Sequence, residues 1–157
     1  MATPTGLAWH RLSDTGSTGG KAGIESQPAD YLVTHAGKTF FIEAKATVKH
    51  NTMQKSLVRP VQRNAIWRWA GVNGTPYYIL FWSWAAGALQ LWNGLEVLSS
   101  SRGVNPERGL LAETTIDPCS YYATVDHIKT LLDSRMGDEE AWDVQSRIPT
   151  LRKFWTM

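Results

Sequence analysis

The sequence predicts an α/β fold, a central mixed β-sheet flanked by helices. An alternating run, 30–35, and a second run suited to a strand, 39–47, sit on either side of a tight Ala36-Gly37-Lys38 turn, and this reads as a hairpin. A run suited to a helix, Arg59 to Ala70, then leads into the apolar, aromatic-rich run Tyr77 to Trp84. The order strand, hairpin, helix, strand, strand, helix needs a sheet with helices packed on it.

Each element has a local reason. Ala8 to Leu12 is a short apolar run that reads as a strand. Residues 13–23 are too rich in Gly, Ser and Thr for regular structure and read as a loop. Val48 to Leu57 is a polar, basic connection, expected to be flexible and to order on a nucleic acid. Pro60 is tolerated in the first turn of the next helix, Gly71 is expected to end it, and Gly74-Thr75-Pro76 makes a turn. Ala85-Ala86-Gly87 turns the chain into a hairpin strand, Leu89 to Trp92. Ser99 to Gly103 reads as a loop. Asp117-Pro118 predicts the start of a helix that runs to about Met136 and stops at Gly137. The large aromatics, Trp67, Trp69, Trp82, Trp84 and Trp92, are expected in the core, with stacking on exposed DNA bases as the alternative for the first four.

The chain has 157 residues, 43% of them apolar, enough for one domain with a real core. Residues 1–95 read as the core and 96–157 as an extension packed on it, for dimerisation or partner binding. Cys119 is the only cysteine, which excludes an internal disulfide and a cysteine-based zinc cage. The four histidines show no zinc spacing. No apolar run has membrane-span length, and the first residues lack the pattern of a signal peptide. A cytoplasmic protein, away from membranes, is the expectation. The net charge is only +2, but it is unevenly spread. Residues 1–95 hold nine basic and four acidic residues, and 96–157 hold seven and ten. No Asp or Glu occurs from Ala44 to Leu95. Such a basic stretch suits a polyanion, although a merely solvated face has the same composition.

The pattern that carries chemistry is Pro28-Ala29-Asp30, then twelve intervening residues, then Glu43-Ala44-Lys45. Alternate strand residues point the same way, so Glu43 and Lys45 share a face with Phe41, which marks the apolar floor. Asp30, at the mouth of the neighbouring strand, can approach Glu43. Two carboxylates and the main-chain carbonyl of Ala44 make an oxygen site for Mg²⁺, with Mn²⁺ as a substitute. Such an ion polarises a phosphate and acidifies a bound water. Lys45 can then orient that water or neutralise developing charge. The plainer alternative is a surface Glu–Lys pair beside a turn aspartate. Arg11, Lys21, Lys49, Lys55, Arg59 and Arg63 are the candidate DNA-binding residues.

The pattern Pro28-Ala29-Asp30 … Glu43-Ala44-Lys45 on a hairpin resembles the PD-(D/E)xK nuclease superfamily, which implies a restriction-endonuclease-like fold. Within it the sequence is similar to Holliday-junction resolvases of two types. Trp9-His10-Arg11, the Gly16-Ser17 loop and Pro28-Ala29-Asp30 resemble the Hjc type. Phe41-Ile42-Glu43-Ala44-Lys45 and the helix opening Val61-Gln62 resemble the RecU type. The resemblance spans roughly residues 9–95. It implies a homodimer cleaving branched DNA, with metal on Asp30 and Glu43, Lys45 catalytic, Gln62 supporting the site, and Ser17 near the scissile strand. A phage source is compatible with it. One departure stands out: the family's acidic residue on a helix before the first strand is missing, and Asp14 or Glu25 is the candidate replacement. The alternatives are a nuclease of the same superfamily without junction selectivity and a non-catalytic nucleic-acid-binding module.

Overall fold

The computed structural model describes residues 7–12, 27–116 and 124–136, with side chains of the last segment described at 127–133. Six strands form one mixed sheet in the order β1-β2-β3-β4-β5-β6. They are β1 (Leu7–Arg11), β2 (Tyr31–His35), β3 (Lys38–Thr47), β4 (Tyr77–Ser83), β5 (Ala88–Asn93) and β6 (Leu110–Thr115). Every neighbouring pair is antiparallel except β3 and β4. That parallel pair needs a crossover, and α1 (Pro60–Ile66) with its continuation Trp67–Val72 supplies it. Ala36 and Gly37 have φ of 50° and 77°. Two left-handed residues in a row match the twist of the β2–β3 hairpin.

Alternation along the strands builds two cores. Phe41, Tyr77, Ile79, Phe81 and Trp92 pack with Ile66 and Ala70 of the crossover and with Leu95, Val97 and Leu98. The last three belong to α2 (Gly94–Ser99). On the other face Val33, Phe40, Ile42, Tyr78 and Leu91 pack with Ile128 and Leu132 of α4 (Thr124–Met136). The sheet is therefore covered by helices on both faces, the α/β arrangement expected. Each large side chain so buried contributes on the order of 1.5–3 kcal/mol. His35 Nε2 also meets Asp133 Oδ1 at 2.6 Å and ties α4 to the hairpin. Among the described residues no helix is long and apolar enough to cross a membrane.

Several local expectations need correction. The helix predicted from Arg59 to Ala70 is α-helical only over Pro60–Ile66 and then widens into a π-helix, Trp67–Val72. Gly71 does not end it. A Cβ there would lie 2.2 Å from the Trp67 ring, so the glycine lets that ring lie against the backbone. Gly74, with φ 76°, is the left-handed residue after the helix. The connection 48–58 is not loose. Met53 and Val58 are fully buried. Ser83 Oγ donates to the His50 carbonyl at 2.6 Å, and Gln90 Nε2 donates to that of Asn51 at 3.0 Å. The short helix α2 and the single turn α3 (Pro106–Gly109) were not legible, nor was β6. Residues 94–98 of α2 are all buried, so no polar face marks its period. Residue 95 falls inside α2, and β6 joins the same sheet as the residues before it. Trp84, expected in the core, is 47% exposed.

Gly71→Ala is expected to cost about 1–3 kcal/mol, because the Trp67 ring must leave its seat. Urea denaturation of the two proteins measures this. Unchanged stability would mean that the ring moves freely.

Candidate active site

The site lies at the N-terminal end of β2. The strand's last pair with β3 is Tyr31↔Ile42, so β3 runs on past Ile42 with β4 alone beside it. Asp30 stands at that step, and its Oδ2 accepts the Ala44 main-chain N–H at 2.9 Å. The side chain thus takes the place a strand would have filled. Three contacts fix the segment that carries it. Tyr77 Oη donates to the Pro28 carbonyl at 2.6 Å. Ala29 is buried in the crossover-side core. The Leu12 N–H donates to the Asp30 carbonyl at 2.8 Å.

Glu43 lies on the crossover face of β3 and is only 3% exposed. This excludes the surface-pair alternative for it. Lys45 Nζ sits 3.0 Å from Glu43 Oε1 and donates to Gln62 Oε1 at 2.9 Å. Gln62 Nε2 donates to the same Glu43 oxygen. The ring of three side chains is closed, and Arg59 orients it. The Arg59 main-chain N–H donates to Gln62 Oε1 at 3.0 Å. A main-chain N–H can only donate, so it fixes which end of the amide faces the helix start. Gln62 occupies the third position of α1 and closes its capping box.

Burial pushes the Glu43 carboxyl above its ordinary value. The Lys45 charge and hydrogen bond pull it down, the Asp30 charge pushes it up, and a hydrogen bond from the Asp30 main chain pulls it down. Burial wins. The protonated form therefore favours the folded state, and that contribution is lost as pH rises through the raised value. Burial also pushes the Tyr77 hydroxyl well up, helped by the charges of Glu43 and Asp30. It stays a neutral donor to Pro28 at any ordinary pH.

The residues present fit a hard divalent cation. Asp30 and Glu43 supply carboxylate oxygens with lone pairs beyond the bonds described. In an extended strand a residue's N–H and C=O point to the same edge. The Ala44 carbonyl therefore faces the side where Asp30 takes its N–H, beyond the end of the β2–β3 ladder. Among the described residues no group of three or more His, Cys, Asp or Glu is placed to hold a metal. Two carboxylates and a carbonyl suit Mg²⁺, which keeps waters and takes phosphate oxygens for its remaining positions.

Asp30, Glu43, Ala44, Lys45 and Gln62 are thus brought together. Ser17, Lys21, Asp14 and Glu25 lie outside the described residues. Arg11 is exposed on β1 opposite Tyr31, at the same sheet end as Asp30. Lys49 and Arg59 are exposed, and Lys55 is half-buried in a 3₁₀ turn. Arg63 spends its Nε–H on the Val58 carbonyl at 2.8 Å, holding the connection to α1. Tyr77 was missed by sequence reasoning. Its only signal was a polar-tipped aromatic opening an apolar strand.

No protein-family model matches the chain, and no curated protein matches its sequence. A solved structure is similar. It is Hjc, a Holliday junction resolvase from the archaeal hyperthermophile Archaeoglobus fulgidus. The identity is 13%, the TM-score 0.43, and the match covers 80% of this chain and 88% of that one.

In the metal-free protein the Glu43 carboxyl is expected to titrate above 4.5, and higher still in Lys45→Met, where the nearby positive charge is gone. Carbon NMR of labelled glutamate reads both values. An ordinary or lowered value in the parent protein would contradict the burial. Tyr77→Phe should lose about 1 kcal/mol of stability with its bond to Pro28. Thermal unfolding measures this, and an unchanged midpoint would show that Pro28 is anchored otherwise.

Proposed function

We propose that this chain is a metal-dependent DNA endonuclease. The observation that carries the reading is the buried Glu43 carboxylate, braced by Lys45 and Gln62 and set beside Asp30 at the open end of β3. A buried carboxylate is costly, and a well-packed apolar residue would serve stability as well or better. Held next to a second carboxylate, it makes sense as part of a reaction site.

Asp30, Glu43 and the Ala44 carbonyl would hold Mg²⁺, or Mn²⁺ in its place, and the ion would polarise the scissile phosphate and acidify a bound water. Lys45 offers an ammonium where negative charge grows on the phosphate oxygens. Gln62 keeps that ammonium aimed, since its Oε1 accepts from both Lys45 and the fixed Arg59 N–H. In the hydrolysis a water oxygen bonds to phosphorus, the bond to the leaving strand oxygen breaks, and that oxygen takes up a proton. Arg11, Lys49 and Arg59, all exposed, would hold the DNA backbone.

The finer form of the proposal is a Holliday-junction resolvase acting as a homodimer on four-way DNA. Its support is the sequence pattern of residues 9–62, Trp9-His10-Arg11 through Gln62. A second reading, a related nuclease without junction selectivity, is favoured by the carboxylate count. Asp30 and Glu43 act on each other electrostatically, and no group of three such residues is found among the described residues.

Labelled four-way junction, linear duplex and single strand, incubated with Mg²⁺, test these readings. Cleavage is expected to need metal and to fall at least a hundredfold in Asp30→Asn and Lys45→Ala, in line with loss of a metal ligand or a charge stabiliser. Absence of metal-dependent cleavage on every substrate would leave a binding module. Equal cleavage of duplex and junction would remove the resolvase form alone.

A further inference from the structure

Beyond the carboxylate site, the molecule carries an aromatic feature that packing does not use up. The Trp82 and Trp84 rings are stacked, with centroids 4.7 Å apart and planes within 10°. Trp82 is anchored, because it packs against the cluster of Leu89, Ile116 and Leu131. Trp84 lies on the outside of the stack and is 47% exposed. Its backbone is pinned. The Trp84 N–H donates to the Thr47 carbonyl at 3.0 Å, and its carbonyl accepts from Gly87 at 3.3 Å. The preceding Ser83 Oγ accepts from the Ala86 N–H at 3.0 Å. A large flat ring is thus held rigid with surface left to solvent.

Its position relates it to the site. Ala46 pairs with Trp82 and Thr47 with Ser83, so the stack stands beside the end of β3. Thr47 is two residues past Lys45, roughly 7 Å along the strand. Trp82, Ala44 and Ala46 lie on the face opposite Glu43 and Lys45, and the two alanines are exposed and add no bulk between the stack and the open edge of β3. Lys49 follows, also exposed, and no acidic residue occurs anywhere from 44 to 95.

From this geometry we infer that the Trp82–Trp84 stack is a platform for an unpaired DNA base, on the sheet face opposite the Glu43 and Lys45 side chains and reached from them round the end of β3. The inference rests on the DNA-cleaving reading and narrows its substrate to DNA with a locally unpaired strand. The base adds a third ring to the stack, the exposed Lys49 offers its charge to the phosphates beside it, and the strand continues round the end of β3 towards the site. Only an unpaired base can offer a free face to such a ring, since bases within a duplex are already stacked on both sides.

The test is binding of the full chain to labelled single-stranded oligothymidine and to a paired duplex of equal length. Fluorescence anisotropy in EDTA keeps cleavage out of the measurement. Trp84→Ala should weaken single-strand binding roughly tenfold or more, as loss of one base–aromatic stack does, and change duplex binding less than about twofold. Trp84→Phe should recover most of the affinity. The proposal is overturned if the parent protein does not bind the single strand, or if Trp84→Ala binds it unchanged. Equal loss on both DNAs overturns it too, as does lowered thermal stability with unchanged DNA binding. Trp84-dependent binding in a protein that cleaves nothing would leave the platform and remove the nuclease. Cleavage indifferent to Trp84 would do the reverse.

Discussion

Glu43 is a carboxylate inside a protein core, and its surroundings are organised around that fact. Removing an ionised group from water costs several kcal/mol, which a single lysine at 3.0 Å offsets only if other hydrogen bonds help. Gln62 supplies one of them and also fixes Lys45. Gln62 is itself placed by the start of α1, through the Arg59 N–H. The crossover helix therefore does two things. It connects the parallel strands β3 and β4, and its first turn supplies the amide that makes a buried charge tolerable.

The second constraint is that the β2–β3 ladder begins only at Tyr31, the first residue of β2. Had its ladder with β3 continued past Tyr31↔Ile42, the Ala44 N–H and C=O would have been taken up by a strand. Instead Asp30 takes the N–H, and the carbonyl faces the same open side. Just before this end, Tyr77 from β4 holds the Pro28 carbonyl in place. The same step that ends a strand thus creates a place where oxygen ligands converge. Local backbone needs and site chemistry are met by one residue.

The hairpin was legible because Ala36-Gly37 is a turn that little else explains, and because strand-like runs flank it on both sides. The grouping of Glu43 and Lys45 was legible for the same reason, since a period of two leaves no choice of face. Gln62 was legible only through a family pattern. Its helical position says nothing of the Glu43 oxygen it reaches across 19 residues of chain. Other elements left weak traces. Within the π-helical turn at Trp67–Val72 one ring lies against one glycine, a contact that helix propensity does not describe. The packed connection 48–58 has a polar composition, yet Met53 and Val58 are fully buried by residues distant in sequence.

The sequence by itself determined the α/β class, the hairpin, the sharing of a face by Glu43 and Lys45, and an acid-free basic stretch beyond them. These follow from periodicity, turn chemistry and charge, which are local or additive properties of the chain. Tertiary structure decided the depth of Glu43, the closing of its ring with Lys45 and Gln62, the capping of Ala44 by Asp30, and the exposure of Trp84. Each of those depends on where the β2–β3 ladder begins and how the crossover returns. Burial and hydrogen-bond partners are set by residues far apart in sequence, and only the folded chain brings them together.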